Sequence, residues 1–594
     1  MDRARGAGLV SALLVVATIA GCAYLAGIPG DFVYDDHRLI GKNEGLRRPF
    51  DARRAFLRDY YASDVDRMGL GYYRPVAILA NEADFRRGDG EPLAFHVTNL
   101  LLHAACSVLV VLLARRLLGG SVLAALASGL VFALHPAHAE SVAFISGRVD
   151  PLATLFALAA ILAHLAANRS RRPVPWRFVQ GLAWLLALLS KEMAVTAPLL
   201  ALLLETAEEG RPPRGRIARR ATRYLPYAAA LAPYLAMRFV ALGTLVGEPT
   251  GATASLARPL VVLGSYLAWL VLPPPGLHLE PAPVSGSLAV LAACLALGIA
   301  AAAMALWRRR ERVAAALIGW CVLTLAPVVQ LRPIETDLSE RFLYLPSVGA
   351  SVLLGLLLAR TRRRVVAAGA LAVLVAVYGT FLLQRNAIWR DELRLWRAKL
   401  EEDPGSVKAN LNLGRALASR RDPSGARAAY ERALALSPEL EAAIRAEMAS
   451  LAAGESDADP LGALRRALEA TPDDGSLWSN LGFLLLERED ARGAAEAFER
   501  AVSLVPLRST AWLGMALASV ELGERDGAAR AAERALALNP GLGLARLVLA
   551  ECALREGRAC EALLMAREAK LGDAEEERRR AGILAMAAAR CPAQ

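Results

Sequence analysis

The sequence predicts an all-α chain in two parts: a polytopic bundle of membrane helices, followed by a solenoid of helical repeats. Three observations lead to this prediction. The chain of 594 residues is 55% hydrophobic with a mean hydropathy of +0.35, which is too apolar for an ordinary soluble protein of this length. Its long apolar runs are confined to residues 1–385. Residues 386–594 alternate charged residues with Ala and Leu, and their prolines recur at a fixed interval.

The membrane part is predicted from the lengths of its apolar runs. A helix that crosses a bilayer needs roughly 20 apolar residues, and about eleven runs before residue 385 meet or approach that length. Two of them, 178–190 and 193–207, are short for a span. The candidate spans are residues 8–28, 94–114, 121–137, 150–168, 178–190, 193–207, 223–243, 286–307, 313–331, 342–360 and 364–384.

The loops between these runs carry arginines, which set the expected topology. Arginine-rich loops stay on the cytoplasmic side of a membrane. If the N-terminus is cytoplasmic, all the arginine-rich loops are cytoplasmic only when the apolar stretch 257–273 does not cross the membrane fully. This stretch ends in Pro273-Pro274-Pro275. We therefore expect an interfacial or re-entrant helix at 257–273 and a C-terminal part delivered to the outside. The arginine-rich loops are Arg115–Arg116, Arg169–Arg177, Arg211–Arg223, Arg308–Arg312 and Arg360–Arg364.

Charge and cysteine content argue against two classes of function. The net charge of +11 comes with arginines clustered between apolar runs rather than on one soluble face, so nucleic-acid binding explains it poorly. The seven cysteines show no metal or redox spacing. A disulfide among Cys552, Cys560 and Cys591 stays open, on condition that the C-terminal part is extracytoplasmic.

An acidic pair, Asp35-Asp36, directly follows the first apolar run and its short exit segment. Carboxylates beside a membrane segment are costly to desolvate, so they face water or a site. A carboxylate at the mouth of a helix bundle is where a membrane enzyme would keep a general base. The alternative is that the pair is simply the first polar segment after a span. The expected topology places it outside, in the loop 29–93, on the same side as the loop 244–285.

Helical repeats are predicted for the C-terminal part. Its prolines recur every 34 residues, which is the period of the tetratricopeptide repeat. About five repeats fill 407–576, the one at 441–474 being degenerate, and such repeats stack into a solenoid with a concave groove. Residues 386–406 form a linker or first helix, and 577–594 a capping helix and tail. The prolines are Pro404, Pro438, Pro472, Pro506 and Pro540.

Together these features resemble one family, the transmembrane and tetratricopeptide-repeat O-mannosyltransferases and their bacterial relatives, which have the GT-C glycosyltransferase fold. The resemblance covers nearly the whole chain, and the acidic pair and the last motif below are its most specific pieces. The supporting segments are Phe32–Asp36, Tyr73–Pro75, Phe95–Asn99 with His103, His135–Glu140, Ser146–Asp150, Ser190–Glu192 and Ser339–Ser347.

The resemblance implies transfer of a sugar, mannose by family default, from a polyprenyl-phosphate carrier to a hydroxyl of a protein or glycan outside the membrane. Inverting transfer needs one carboxylate to deprotonate the acceptor; by resemblance this is Asp35, with Asp36 positioning it or the acceptor. The lipid phosphate leaves as an anion, which arginine binds well. The expected substrate-binding residues are Arg74, His96, His135, His138, Glu140, Arg148, Lys191, Glu192, Arg332, Arg341 and Tyr344.

Several of these residues have a plainer alternative. Lys191 and Glu192 are adjacent and could form a structural ion pair with each other. His135 and His138, with Glu140 near, are too few ligands to predict a metal, so no cofactor is predicted, although a divalent metal stays an alternative. Other candidates could be interfacial anchors: Arg341 and Tyr344 lie three residues apart, so one helix face could present both outward.

Two rival functions follow from the same sequence. A flippase or transporter of lipid-linked sugars would be expected to show inverted repeats and broken helices in paired positions, and none is evident. A non-enzymatic, membrane-anchored repeat scaffold would need far fewer spans. The Ala- and Arg-rich composition suggests a bacterium, so the expected location is the inner membrane, with the repeats in the periplasm.

Overall fold

The computed structural model describes residues 2–28, 30–41, 43, 46–47, 50–61, 71–210, 217–243, 257–278, 286–329, 338–437, 444, and 460–591 apart from 471, 474, 507, 539–541 and 570–573. Within these ranges the chain forms helices, turns and loops and no strand, which confirms the predicted all-α fold class. The chain divides into two compact units, Met1–Glu402 and Asp403–Gln594.

The first unit contains seventeen described α-helices, several of them shortened or broken by Pro and Gly. In chain order they are α1 Asp2–Cys22, α2 Ala52–Phe56, α3 Pro75–Arg87, α4 Pro92–Leu117, α5 Val122–Ala133, α6 Ala139–Val142, α7 Val149–Arg169, α8 Pro173–Leu188, α9 Ala197–Glu209, α10 Ile217–Ala221, α11 Leu225–Leu242, α12 Ala257–Trp269, α13 Gly286–Arg308, α14 Arg312–Leu325, α15 Pro346–Arg360, α16 Arg364–Ile388 and α17 Glu392–Glu402.

Apolar helices of membrane-spanning length lie in this unit. Five described helices qualify, and a sixth does if α5 and the segment Pro136–Val142, bent by 51° from it, count as one span. The chain is therefore a multi-pass membrane protein. The other predicted spans overlap shorter helices, so the count of about eleven stays a prediction. The five are Pro92–Leu117, Ile145–Arg169, Thr222–Leu242, Ser287–Arg308 and Arg364–Ile388.

The helix α12 occupies the stretch expected to be interfacial or re-entrant. Its 13 residues make it about 20 Å long, which is shorter than a membrane core. Tyr266 and Trp269 are buried, and the backbone beyond is fixed because Arg385 Nη2 donates to the carbonyls of Pro274 (2.9 Å) and Gly276 (2.8 Å). The placement of this helix at the membrane surface stays a prediction.

The second unit consists of helix pairs with the predicted period. The described helices are α18 Val407–Ser419, α19 Pro423–Leu436, α20 Pro460–Ala470, α21 Gly475–Glu487, α22 Ala491–Leu504, α23 Ser509–Glu521, α24 Arg525–Leu538, α25 Gly543–Arg555, α26 Ala559–Glu568 and α27 Ala574–Arg590. Most of the degenerate repeat, and two of the periodic prolines, Pro438 and Pro540, lie outside the described residues.

Small residues and aromatic rings interlock inside the repeats. The buried ring of Phe498 occupies the space where a Cβ on Gly482 or Gly514 would stand, 2.8 Å and 2.2 Å from its nearest ring atoms. A tryptophan contact also recurs one repeat apart. Trp478 Nε1 donates to Pro472 O (2.7 Å), and Trp512 Nε1 donates to Pro506 O (2.8 Å).

Candidate active site

The acidic pair lies in a short loop after α1, and its two carboxylates have different surroundings. The loop turns at Tyr34, whose φ of 54° is rare for a residue with a side chain. The Tyr34 amide donates to Glu392 Oε1 (3.1 Å), which anchors the turn. Beyond it, Asp36 is 1% exposed, while Asp35 stays partly exposed. The turn therefore buries one carboxylate and leaves its neighbour accessible.

Asp36 fixes the loop to the segment before α7. Its carboxylate accepts hydrogen bonds from the Val33 amide (3.1 Å), the Ser146 amide (2.8 Å) and the Ser146 hydroxyl. Burial raises the pKa of Asp36 to about 7, although these hydrogen bonds lower it and the charge of Asp35 raises it further. This surrounding suits a carboxylate that holds its neighbour in place rather than one that meets a substrate.

Asp35 has one described hydrogen-bond donor, the phenol of Tyr61, whose oxygen lies 3.2 Å from Oδ2. The pKa of Tyr61 is raised well above its usual value by burial and by the charge of Asp35, while the charges of Arg341 and Arg74 act in the opposite direction. Tyr61 therefore lies among the carboxylate and two arginines. Sequence reasoning missed it, although the tyrosine-rich flanks of this loop, with Tyr60 beside it, were a usable signal.

Arg74 is the first cation near this carboxylate. It precedes α3, is 7% exposed, and its Nη2 pairs with Glu192 Oε2 at 3.1 Å. Its guanidinium lies 4.5 Å from the centre of the Tyr72 ring. Within the described part of the chain its buried Nε–H has no hydrogen-bond acceptor. The charges of Glu192 and Tyr61 raise the pKa of Arg74 despite its burial.

Lys191 pairs with Asp150 rather than with its neighbour Glu192, so the plainer expectation of an ion pair between adjacent residues was wrong. Lys191 Nζ lies 2.6 Å from Asp150 Oδ1, and both side chains are 5% exposed. The reason is geometric, because Glu192 begins a 3₁₀ turn and faces Arg74 instead. Burial lowers the pKa of Lys191 to about 8; Asp150 opposes this, while the charges of Arg341 and Arg74 add to it.

Arg341 is the third cation and is tied to Glu140. Its amide donates to Glu140 Oε2 (3.0 Å), its Nε lies 3.6 Å from Oε1, and the Ser339 hydroxyl donates to the same Oε1 (2.7 Å). Its side chain is 20% exposed, and the charges of Tyr61 and Asp35 are among those that raise its pKa. Tyr344, three residues on, is fully buried. The anchoring alternative expected both side chains to point outward from one helix face. That expectation was wrong, because Tyr344 points into the interior.

Arg148 is held by protein groups, and its expected contact with a substrate stays a prediction. It is completely buried, and its guanidinium donates to Asn99 Oδ1 (2.9 Å), Asn81 Oδ1 (3.2 Å), Asp84 Oδ2 (2.7 Å) and Phe95 O (2.9 Å). Those partners take four of the five N–H donors of the guanidinium. Arg148 thus joins α3 and α4 to the start of α7.

The histidines are engaged inside the bundle. His96 Nε2 lies 3.3 Å from Gly30 O, His135 Nε2 lies 3.3 Å from Leu270 O, and His138 Nε2 lies 2.8 Å from Ser347 Oγ. Among the described residues no three His, Cys, Asp or Glu side chains are grouped closely enough to hold a metal. Tyr344 joins this interior, its hydroxyl 2.7 Å from His103 Nδ1. Arg332 lies outside the described residues.

The structure thus separates the predicted site residues into two sets. Asp35 and Asp36 belong with Arg74, Lys191 and Arg341, and with the Tyr61 and Asp150 that sequence reasoning did not select. The first set combines an accessible carboxylate with nearby cations, which suits proton removal beside a phosphate. Glu140 and Glu192 hold two of the cations, whereas the second set, Arg148, His96, His135, His138 and Tyr344, packs into the interior.

Known proteins confirm the resemblance seen in the motifs. No family model matches the chain. It is 27% identical over 481 residues to the human protein O-mannosyl-transferase TMTC4, and this match covers 70% of this chain and 65% of that protein. A protein O-mannosyl-transferase of Caenorhabditis elegans is 24% identical over 74% of this chain and 64% of its own length. The chain thus spans less than two thirds of these relatives.

Shorter matches and solved structures add little to this. The Drosophila melanogaster protein O-mannosyl-transferase Tmtc2 is 36% identical over 200 residues, which cover 32% of this chain and 21% of that protein. Among solved structures, YrrB, described as a tetratricopeptide-repeat protein with an unusual peptide-binding site, is 20% identical over 32% of this chain and 97% of its own, with a TM-score of 0.24. That score is too low to support an argument.

Proposed function

We propose that this chain, whose curated relatives are protein O-mannosyl-transferases of the TMTC family, is an integral-membrane glycosyltransferase of the GT-C type. It moves a sugar, mannose by the example of these relatives, from a polyprenyl-phosphate carrier to a hydroxyl of a protein or glycan. The observation that carries the proposal is the surroundings of Asp35. This carboxylate is partly exposed, accepts a hydrogen bond from Tyr61, and lies near Arg74 and Arg341, whose Nε–H groups have no hydrogen-bond acceptor in the described residues.

Asp35 is the general base of the proposed reaction. Its carboxylate takes the proton of the acceptor hydroxyl while the acceptor oxygen forms a bond to the anomeric carbon. The bond from that carbon to the carrier's phosphate oxygen breaks on the opposite face, so the configuration inverts. Tyr61 orients the carboxylate, and Asp36, held by Ser146, fixes the loop that carries it.

The leaving phosphate is met by cations. Arg74 and Arg341 each have a buried Nε–H without a hydrogen-bond acceptor in the described residues, although Arg341 Nε lies 3.6 Å from Glu140 Oε1 as an ion pair. A buried donor without a hydrogen bond is costly unless a ligand supplies the acceptor. Lys191 adds a point charge from the same side. The phosphate leaves as an anion. These three cations stabilise its negative charge, so that no general acid is needed to protonate it.

Sidedness is part of the proposal. A disulfide joins Cys560 to Cys591 in the second unit, and disulfides persist in oxidising compartments such as the periplasm. Arginine-rich loops on the cytoplasmic side would place the acidic pair and the repeats outside. We accordingly place the chain in a bacterial inner membrane, with a cytoplasmic N-terminus and with periplasmic repeats that bind the acceptor or a partner protein.

The test is sugar transfer by membranes that contain the full chain, with Asp35→Asn compared with Asp31→Asn, an exposed carboxylate in the same loop. Loss of a general base lowers transfer by about 10²–10⁴-fold, and the Asp31 variant is expected to match the wild type. Unchanged transfer by folded Asp35→Asn protein would remove the mechanism. A wild type that transfers no sugar but moves the carrier across vesicles would favour the flippase.

A further inference from the structure

A cavity of about 450 Å³ lies in the first unit, at the C-terminal ends of α4, α9 and α15. Those three helices begin near the candidate active site, since α4 starts beside Arg148 and its partners, α9 follows Glu192, and α15 follows Arg341. The cavity is thus at the far end of these helices from the acidic pair. By the expected topology it opens toward the cytoplasmic leaflet.

The charge of this cavity is strongly positive. Arg310, Arg312 and Arg360 line it against a single acid, Glu311, and Glu311 is already paired with Arg360. Within the described residues, the guanidinium groups of Arg310 and Arg312 have neither a hydrogen bond nor an ion pair. Two unpaired arginines that meet in one cavity are suited to a phosphate, which their planar forks bind bidentately.

Space for one of these arginines is provided by a glycine. A Cβ on Gly210 would lie 2.9 Å from Arg312 Nη1, and Gly210 has a φ of +77° that other residues rarely adopt. The end of α9 therefore leaves room for the guanidinium at the cavity wall. A larger residue at 210 would require this guanidinium to shift.

Part of the cavity wall is apolar, formed by Leu117 and Leu356, which are themselves buried. Exposed apolar side chains follow these lining residues in the sequence. Leu357 in α15 is 53% exposed, and Val365 and Val366 at the start of α16 are 85% and 54% exposed, as expected for side chains that face lipid tails. A basic pocket between membrane helices with an apolar approach matches a phospholipid: the head group enters and the acyl chains stay outside.

We propose that this cavity binds the phosphate of an anionic phospholipid, through Arg310 and Arg312. The alternative role of these arginines is to neutralise the partial negative charge of the carbonyl groups at the C-terminal ends of the helices. That role needs no ligand. The two roles differ in what they predict for lipid. A binding site retains anionic lipid selectively, whereas charge compensation at helix ends does not.

The test is lipid retention by the purified full chain in detergent, measured by native mass spectrometry after incubation with vesicles of phosphatidylglycerol or phosphatidylcholine. The double variant Arg310→Gln/Arg312→Gln is compared with Arg308→Gln/Arg309→Gln, which removes two exposed arginines of the same segment that do not line the cavity. We expect about tenfold less phosphatidylglycerol on the first variant only, and no change for phosphatidylcholine.

Equal retention by the two double variants would overturn the proposal. So would displacement of the lipid by soluble glycerol phosphate at the same concentration, because the site would then recognise free phosphate and not lipid. If the first double variant does not fold, Arg310→Gln alone serves, since Arg310 is exposed. Its expected loss is smaller and in the same direction, and unchanged retention by this variant counts against the site.

Discussion

The two units of this chain treat buried charge in opposite ways. In the described part of the second unit, the buried polar residues are four serines and one asparagine, and none is charged. The first unit buries aspartates, glutamates, arginines and a lysine, among them Asp36, Arg74, Asp150 and Lys191. Burying a charge is costly unless it is paired. The comparison indicates that apolar packing holds the second unit together, whereas the first unit also depends on buried ion pairs.

Buried charge within the first unit is itself of two kinds. Arg148 donates hydrogen bonds to four protein groups and joins helices. Arg74 and Arg341 keep an unused donor each. Substitutions in these residues and in the repeats can therefore separate structural charge, catalytic charge and packing.

The largest effect is expected for Arg148→Leu. It removes the partner of Asp84 Oδ2 and of two buried asparagine oxygens, although Arg87 and Thr98 stay bound to Asp84 Oδ1. Breaking a buried pair costs about 3–5 kcal/mol when no other partner remains, and we expect a loss near the lower end of that range. We expect little folded protein by size-exclusion chromatography in detergent, whereas Arg341→Leu, at a partly exposed position, stays folded and loses transfer activity. An Arg148→Leu protein as stable as the wild type would contradict its structural role.

Packing in the repeats is tested by Gly514→Val. The added side chain meets the Phe498 ring, from which a Cβ would already be only 2.2 Å away, and overpacking costs about 1–3 kcal/mol. The readout is thiol labelling of the buried Cys552 against urea, followed by peptide mass spectrometry. Gly582→Ala, where no atom lies within 4 Å of the new Cβ, is the control. Equal urea midpoints for the two variants would show that the ring does not restrict this position.

The role of the Tyr61 hydroxyl in orienting the proposed base is tested by Tyr61→Phe. This substitution removes the single described hydrogen-bond donor to Asp35. We expect about a tenfold loss of transfer, equivalent to about 1.4 kcal/mol, with thermal stability unchanged. The matched control is Tyr73→Phe, because Tyr73 donates to Phe56 O (3.1 Å) and not to a carboxylate. A similar loss in both variants would show that the phenols matter only for packing of the loop.

The smallest effect expected is on the pH dependence of transfer. The pKa of Asp36 is about 7, so it gains a proton as pH falls through 7 and weakens the anchor at Ser146. The pKa of Lys191 is about 8, so its charge is lost as pH rises through 8. A bell-shaped profile of a few-fold amplitude follows, and Lys191→Arg should remove only its alkaline limb. A flat profile would exclude both groups from the reaction.

Sequence reasoning was most successful where the signal was local or periodic. The helices of the second unit start three residues after Pro404, Pro472 and Pro506, because a proline there ends one repeat and permits the next. The acidic pair was also recognisable, as two carboxylates beside an apolar run. The protein O-mannosyl-transferase relatives then followed from short motifs along the chain.

Ion pairs between residues far apart in the sequence could not be predicted. Lys191 and Asp150 are 41 residues apart, and Arg74 and Glu192 are 118 apart. Nothing in a single sequence selects one acid over another at such distances, since the choice depends on how helices pack. For the same reason Arg148 was predicted to hold substrate: its residue type gave no indication that four neighbours would surround it.

The positions of these partners along the chain also determine when each contact can form during synthesis. The partners of Arg148 lie 49 to 67 residues before it, so they already exist when the ribosome delivers this arginine. Glu140 is different, because Ser339 follows it by 199 residues. At roughly 5–20 residues per second, Glu140 waits roughly 10–40 s for that partner. The nascent membrane unit must therefore keep this carboxylate hydrated, or held by another protein, until the segment between α14 and α15 has been made.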